Sequence, residues 1–196
     1  MHMMVNLICK QELRSRIRKI RRSTTKQSIQ QASENIVKRL FSTKQWQNAK
    51  TVGIYASTAG EVATRSIFEQ AWLERKQCGA PILTERSVLS YQVVSQWLDF
   101  QRGHWGILEP RKTCPILVSK DIELLILPCF AVDEKGNRLG GGMGLFDRYL
   151  ATSPETTYRV CLAFSWQYFA TVPHNERDQP IHTILTEDGQ FFPTIL

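Results

Sequence analysis

Residues 138–150 read RLGGGMGLFDRYL, and four of the five positions from 140 to 144 are glycine. Glycine has no Cβ, so such a run can turn its backbone N–H groups inward and let a bulky anion come close. An apolar strand-like segment precedes it (Ile122, Leu124, Leu125, Ile126, Leu127), and a helical pattern follows through Phe146, Tyr149 and Leu150. A helix N-terminus behind a glycine loop adds partial positive charge where a phosphate would sit. Arg138 offers a charge-assisted contact and Asp147 a hard oxygen for Mg²⁺. The pattern points to a nucleotide phosphate site; from the glycines alone an ordinary turn is the equal alternative. No Gly-Lys-Ser/Thr ends the run, so it is not a Walker A loop. It follows a late strand, so it is not a dinucleotide fingerprint either.

The rest of the chain indicates what such a loop is mounted on. With 196 residues there is enough chain for one well-filled core and too little for two ordinary domains. No apolar run reaches the length of a membrane-spanning helix. The five cysteines (Cys9, Cys78, Cys114, Cys129, Cys161) are dispersed and form no C-x-x-C pair. That usage fits reduced thiols in a cytoplasmic protein and argues against a zinc site.

The net charge of +7 is unevenly spread, because residues 1–50 hold twelve Lys/Arg against two Asp/Glu. A basic amphipathic start suits nucleic acid, an organellar presequence, or a polyanionic small molecule. Residues 6–22 carry a helical stripe of Leu13, Ile17 and Ile20, with Lys10 and Arg14 on its flank, one turn apart. Those two cations belong where the helix meets the body, at the lip of a cleft. Arg16, Arg18, Lys19 and Arg22 point further away and read as a solvated face.

A second helix is expected to about Phe41, opened by Thr24 and Gln27 as a capping box. Residues 51–56 (TVGIYA) read as the first core strand, residues 64–78 as a helix stopped by Gly79, and residues 80–84 as a second, parallel strand. This is a β-α-β unit. Ligands of open α/β sheets lie beyond the carboxyl ends of strands, where residues 57–61 (STAGE) follow. Residues 90–97 and 157–164 read as further strands, and the tail adds one more. The expected fold is a Rossmann-like, three-layer α/β/α sandwich, a single domain over residues 1–196 with a mostly parallel, mixed-edged sheet.

The string from Asp133-Glu-Lys-Gly136 through Arg138-Leu, the glycines and Phe146-Asp-Arg-Tyr-Leu150 resembles the signature of the 5-formyltetrahydrofolate cyclo-ligase family, roughly FDxxGxRLGxGxGYYDRxL. The similarity also takes in the basic first helix, the strand leading to Glu61, and the Val172-Pro173 to Glu187 ending. The resemblance implies an enzyme that converts 5-formyltetrahydrofolate to 5,10-methenyltetrahydrofolate with ATP and Mg²⁺. It implies ATP contacts at Lys10, Arg14, Arg138, Gly140, Gly141, Gly142, Met143, Gly144 and Phe146. It implies folate contacts at Ala56, Glu61, Trp105, Leu145 and Phe146, with Arg138 and Asp147 catalytic and the metal on Asp147.

Three positions depart from the signature. Leu145 and Phe146 replace paired tyrosines, Gly141 and Met143 stand where basic residues sometimes occur, and His182 falls where many members have a second metal-binding aspartate. Imidazole is a poor Mg²⁺ ligand beside carboxylate, which leaves His182 doubtful in that role. The leading expectation is a cytoplasmic, monomeric enzyme acting on small molecules, with neither nucleic acid nor membrane as partner. Its rivals are a folate- or nucleotide-binding protein of the same fold with little turnover, and nucleic-acid binding through the first helix.

Overall fold

The computed structural model describes residues 9–84, 88–103 and 106–193. Trp105, expected to stack on the substrate, lies outside the described residues. The elements in order are α1 (Lys10–Ser23), α2 (Lys26–Phe41), α3 (Lys44–Asn48), β1 (Thr51–Ile54), α4 (Arg65–Leu73), β2 (Gln77–Leu83) and β3 (Leu89–Val93). Then come β4 (Phe100–Arg102), β5 (Leu108–Pro110), β6 (Ile116–Leu117), β7 (Leu124–Pro128), β8 (Ala131–Asp133) and β9 (Arg138–Leu139). The last are α5 (Leu145–Leu150), β10 (Tyr158–Leu162), β11 (Tyr168–Phe169), β12 (Thr183–Leu185) and β13 (Gln190–Phe191).

Eight strands form the main sheet in the order β13-β12-β10-β7-β1-β2-β3-β6. The five from β12 to β2 run parallel. Antiparallel β13 flanks one side, β3 and β6 the other. The pleat divides the core. Val52, Ile54, Leu124, Ile126, Val160 and Leu162 pack with residues of α2, α3 and α4 on one face. Leu125, Leu127 and Cys161 turn to the other face, under Tyr149 and Leu150 of α5 and Val132 of β8. The fold is thus the expected three-layer, mostly parallel α/β/α sandwich. Its second helical layer is thin, filled out by a small sheet ordered β11-β8-β9.

From β1 the chain steps to β2 on one side, then returns to place β7 on the other. Ligands of open α/β sheets bind where strand order reverses in this way. Here that crevice opens between the loop after β1 and the end of β7. The first helix covers the small sheet, with Leu13 and Ile17 packed on Ala131, Leu139 and Val172.

Three local expectations need correction. The first described helical residue of α1 is Lys10, capped by Cys9, and Thr24 closes that helix with its amide on the Ile20 carbonyl. The cap of α2 is Thr25, whose side chain accepts from the Ser28 amide. Helix α4 stops at Leu73, before residue 78, because Arg75 takes a left-handed conformation at φ 57°. The amides of Arg75 and Lys76 reach back to the Trp72 and Ala71 carbonyls, as in a Schellman motif. Gly79 is instead a strand residue of β2, where a Cβ would come within 2.4 Å of Leu117.

Candidate active site

Asp133, at the end of β8, folds the turn that delivers Arg138. Its Oδ1 accepts from the amides of Lys135 and Asn137, and its Oδ2 from the Asn137 side chain and the Val172 amide. Gly136 completes the turn at φ 79°, where a Cβ would meet the Ile181 carbonyl at 2.7 Å. Arg138 then enters the protein interior with its side chain 1% exposed. It donates to Asp147 Oδ1 at 2.8 Å and to the Pro128 carbonyl at 3.3 Å. Its guanidinium lies 5.6 Å from the centroid of the Phe146 ring. The charge expected to face phosphate is therefore engaged with Asp147, beneath the loop.

The glycine loop runs over this pair. Gly140 must lack a Cβ, which would press to 3.0 Å from Arg138 Nη1. Gly142 and Gly144 have φ of 118° and 62°, conformations costly for side-chain-bearing residues. Arg14 Nε donates to the Gly140 carbonyl at 2.9 Å and Arg148 Nη1 to the Met143 carbonyl at 2.7 Å. Helix α5 spans only six residues, so its dipole adds little to the loop's own amides.

Two cavities adjoin the loop, and a third opens from one of them. One of about 690 Å³ is lined by the cations Lys10, Arg14, Arg148 and Arg177, by the carboxylates Asp147, Glu176 and Asp178, and by loop residues including Gly142. A second, of about 230 Å³, lies between Glu61, Cys129, Phe130, Arg138 and Gly141. It shares Gly140, Met143, Gly144 and Asp147 with the first cavity. An apolar slot of about 170 Å³ is walled by Ala56, Pro81, Leu83 and Ile107 and contains Glu61 and Glu109. It shares Glu61, Pro128, Leu145 and Phe146 with the second. A trough thus leads from cations, past the loop, to an apolar slot.

Every described residue expected at the site lines this trough except His182. That residue stands at the amino end of β12, next to Thr183, whereas the crevice lies at the strands' carboxyl ends. Its Nδ1 accepts from the Arg159 amide at 3.0 Å and its ring packs on Tyr158. Burial, with Arg159 adding to it, holds its pKa below the ordinary value of 6.5.

Asp147 instead shares its cavities with other carboxylates: Glu176 and Asp178 in one, both of which the sequence reading passed over, and Glu61 in the other. Asp178 ion-pairs with Lys10 and accepts from the Asn175 amide. A signal existed in the tail, since Glu176 and Asp178 flank Arg177 just before Gln179-Pro180. Among the described residues no three His, Cys, Asp or Glu side chains gather as a metal cage. Both hydrogen bonds to Asp147 end on Oδ1. Asp147, Glu176 and Asp178 at one cavity still suit Mg²⁺, which takes few protein ligands and completes its shell with phosphate oxygens and water.

Arg16 and Arg18 also differ from expectation. Their guanidiniums lie 5.9 Å and 5.4 Å from the ring centroids of Phe169 and Phe130, so they lean on the body.

The sequence profile of the 5-formyltetrahydrofolate cyclo-ligase family matches residues 7–187. The chain belongs to this family. The 5-formyltetrahydrofolate cyclo-ligase of Haemophilus influenzae is 29% identical, over 90% of this chain and 96% of its own. The mouse cyclo-ligase is 26% identical over 92% and 94%. Among solved structures, the 5,10-methenyltetrahydrofolate synthetase of Aquifex aeolicus superposes with a TM-score of 0.84 at 26% identity, covering 93% of this chain and 92% of that one. The synthetase of Mycoplasma pneumoniae, at 19% identity and a TM-score of 0.74, shares the fold. The glycine loop of this chain carries no lysine or arginine between Gly140 and Gly144. In space, Arg14 and Arg148 hold that loop from either side.

Proposed function

We propose that this chain uses ATP to close 5-formyltetrahydrofolate into 5,10-methenyltetrahydrofolate, releasing ADP and phosphate. The observation that carries the reading is the trough: the glycine loop lies between a cavity lined by charged side chains and a middle cavity that continues into an apolar slot. A triphosphate and a flat heterocycle would meet there.

The chemistry asks for little beyond placement and charge. A formyl oxygen is a poor leaving group. Its attack on the γ-phosphorus, with ADP departing, turns it into a phosphate ester. N10 then attacks the formyl carbon and gives up its proton, phosphate leaves carrying the former formyl oxygen, and the imidazoline ring is closed. Phosphoryl transfer needs mainly alignment and neutralisation of charge. Lys10, Arg14 and Arg148 would neutralise the phosphates, and the amides of residues 140–144 would orient them. Mg²⁺, held by Asp147 with Asp178, would screen the phosphate oxygens from the approaching nucleophile. Arg138 acts through Asp147, holding that carboxylate in one orientation. Leu145 and Phe146 exclude water from the junction between phosphate and ring. Ala56 and Glu61 would border the folate, and Trp105 keeps the stacking role the resemblance gave it.

We further read the protein as a one-domain cytoplasmic monomer acting on small molecules. All five cysteines are free thiols. The lean of Arg16 and Arg18 onto aromatic rings favours this over nucleic-acid binding by α1.

A second reading, binding with little turnover, draws on the two hydroxyls missing at Leu145 and Phe146. One assay separates the two. Purified protein with 5-formyltetrahydrofolate, Mg²⁺ and ATP should develop the methenyl chromophore, and Asp147→Ala should abolish it. ATP binding in calorimetry without any chromophore would overturn the enzyme reading and leave the binding one.

A further inference from the structure

The structure assigns to Arg18 and Arg21 the carboxylates of the substrate's glutamate tail, an inference that rests on the folate reading above. Helix α1 carries Lys10, Arg14, Arg18 and Arg21 at steps of four, four and three residues, so the four cations form one stripe. Lys10 and Arg14 line the charged cavity, and Arg14 holds the Gly140 carbonyl. Seven residues on from Arg14, about 10 Å along the helix axis, Arg21 reaches other walls of the middle cavity. Its Nη2 donates to the Cys129 carbonyl at 2.9 Å, and a Cβ on Gly60, beside Glu61, would meet its Cδ at 3.3 Å. Cys129 and Glu61 both line the middle cavity, as does Phe130.

The guanidiniums of Arg21 and Arg18 lie 4.3 Å and 5.4 Å from the centroid of the Phe130 ring. Two like charges thus share one ring, and among the described residues neither is paired with a carboxylate. Arg18 is exposed and makes no hydrogen bond there, while Arg21 uses one of its five donors on Cys129. Like charges so placed favour an anion between them. The connectivity of the substrate supplies one. A pterin in the slot turns N5 and C6 toward the middle cavity, because phosphate arrives there. C6 carries the methylene that leads to N10, the benzoyl ring and the glutamate, so the tail leaves through the middle cavity. Arg138 is closed to it, paired with Asp147 and 1% exposed. The benzoyl ring can lie along Phe130, and the carboxylates then meet the two arginines.

The test titrates wild type, Arg18→Ala, Arg18→Lys and the double variant Arg18→Ala with Arg21→Met in a calorimeter. The ligands are ATP, 5-formyltetrahydrofolate and 5-formyltetrahydropteroate, which lacks the glutamate. An ion pair open to water changes affinity by up to about fivefold. Arg18→Ala should lose about three- to fivefold for the folate and the double variant about tenfold, with a matching rise in KM and kcat little changed. Arg18→Lys should retain most of the affinity. The pteroate should bind wild type more weakly than the folate and bind all variants alike, and ATP affinity should not move. Unchanged folate affinity in the double variant would overturn the assignment. So would an equal loss for folate and pteroate, which marks a shifted cavity wall, or a loss for ATP, which marks a phosphate contact. All three leave the cyclo-ligase reading intact, whereas absence of folate binding to wild type would overturn both.

Discussion

Arg138 and Asp147 form an ion pair of 2.8 Å beneath the glycine loop, with side chains only 1% and 13% exposed. The pair joins β9 to the first turn of α5, so it fixes both the span of the loop and the heading of Asp147 toward the cavity it shares with Lys10 and Arg14. Breaking one partner strands the other charge away from water. Arg138→Met should cost about 3–5 kcal/mol in urea unfolding. Arg138→Met with Asp147→Leu should recover much of that stability and none of the activity. Equal stabilities for single and double variants would show that the pair is not coupled.

Gly142 meets ordinary van der Waals space, since the nearest atom to an added Cβ is 3.7 Å away on Arg14. Its φ of 118° is the sole obstacle to a side chain. Gly142→Ala should therefore impose about 1–2 kcal/mol of backbone strain on the loop. Its ATP dissociation constant should rise about tenfold. Folate affinity, read in the same calorimeter, should stay unchanged.

His182 gives a pH signature unrelated to catalysis. Burial holds its folded pKa below the ordinary 6.5, and its neutral Nδ1 accepts from the Arg159 amide. On acidification the unfolded chain takes up this proton first. The contribution of His182 is thus complete above 6.5 and is lost as pH falls from there through the folded pKa. His182→Asn, which keeps an acceptor, should remove this part of the slope in unfolding free energy against pH. An unchanged slope would refute the assignment.

Arg75 sits exposed in a left-handed conformation at φ 57°, at the position after α4 where glycine is the usual occupant. Arg75→Gly should stabilise the protein by about 0.5–1 kcal/mol. Calorimetric melting checks this, with kcat unaffected because α4 closes at the amino end of β2, away from the trough.

Local signals carried much of the fold. The apolar run at residues 124–127 stands at the sheet's centre, as a segment buried on both faces should. The stripe of Leu13 and Ile17 put Lys10 and Arg14 at the lip of a cavity, as helical periodicity required. The end of α4 was misread because an arginine adopted the conformation expected of a glycine. The metal-site reading of His182 failed on geometry, since its place in the chain gave no hint that β12 aims it at the far end of the sheet.

From sequence alone came the succession of strand, glycine loop and helix, the basic flank of the first helix, and the family these motifs resemble. These follow from periodicity and backbone freedom, which act over a few residues. Tertiary structure decided that Arg138 pairs with Asp147, that Asp178 shares a cavity with that aspartate, and that Glu109 lines the apolar slot. Each depends on strands reversing their order between β1 and β7, which brings together side chains distant in the chain. Charge and hydrogen-bonding chemistry state what a residue can do, but its role is settled by the neighbours that such long-range packing supplies.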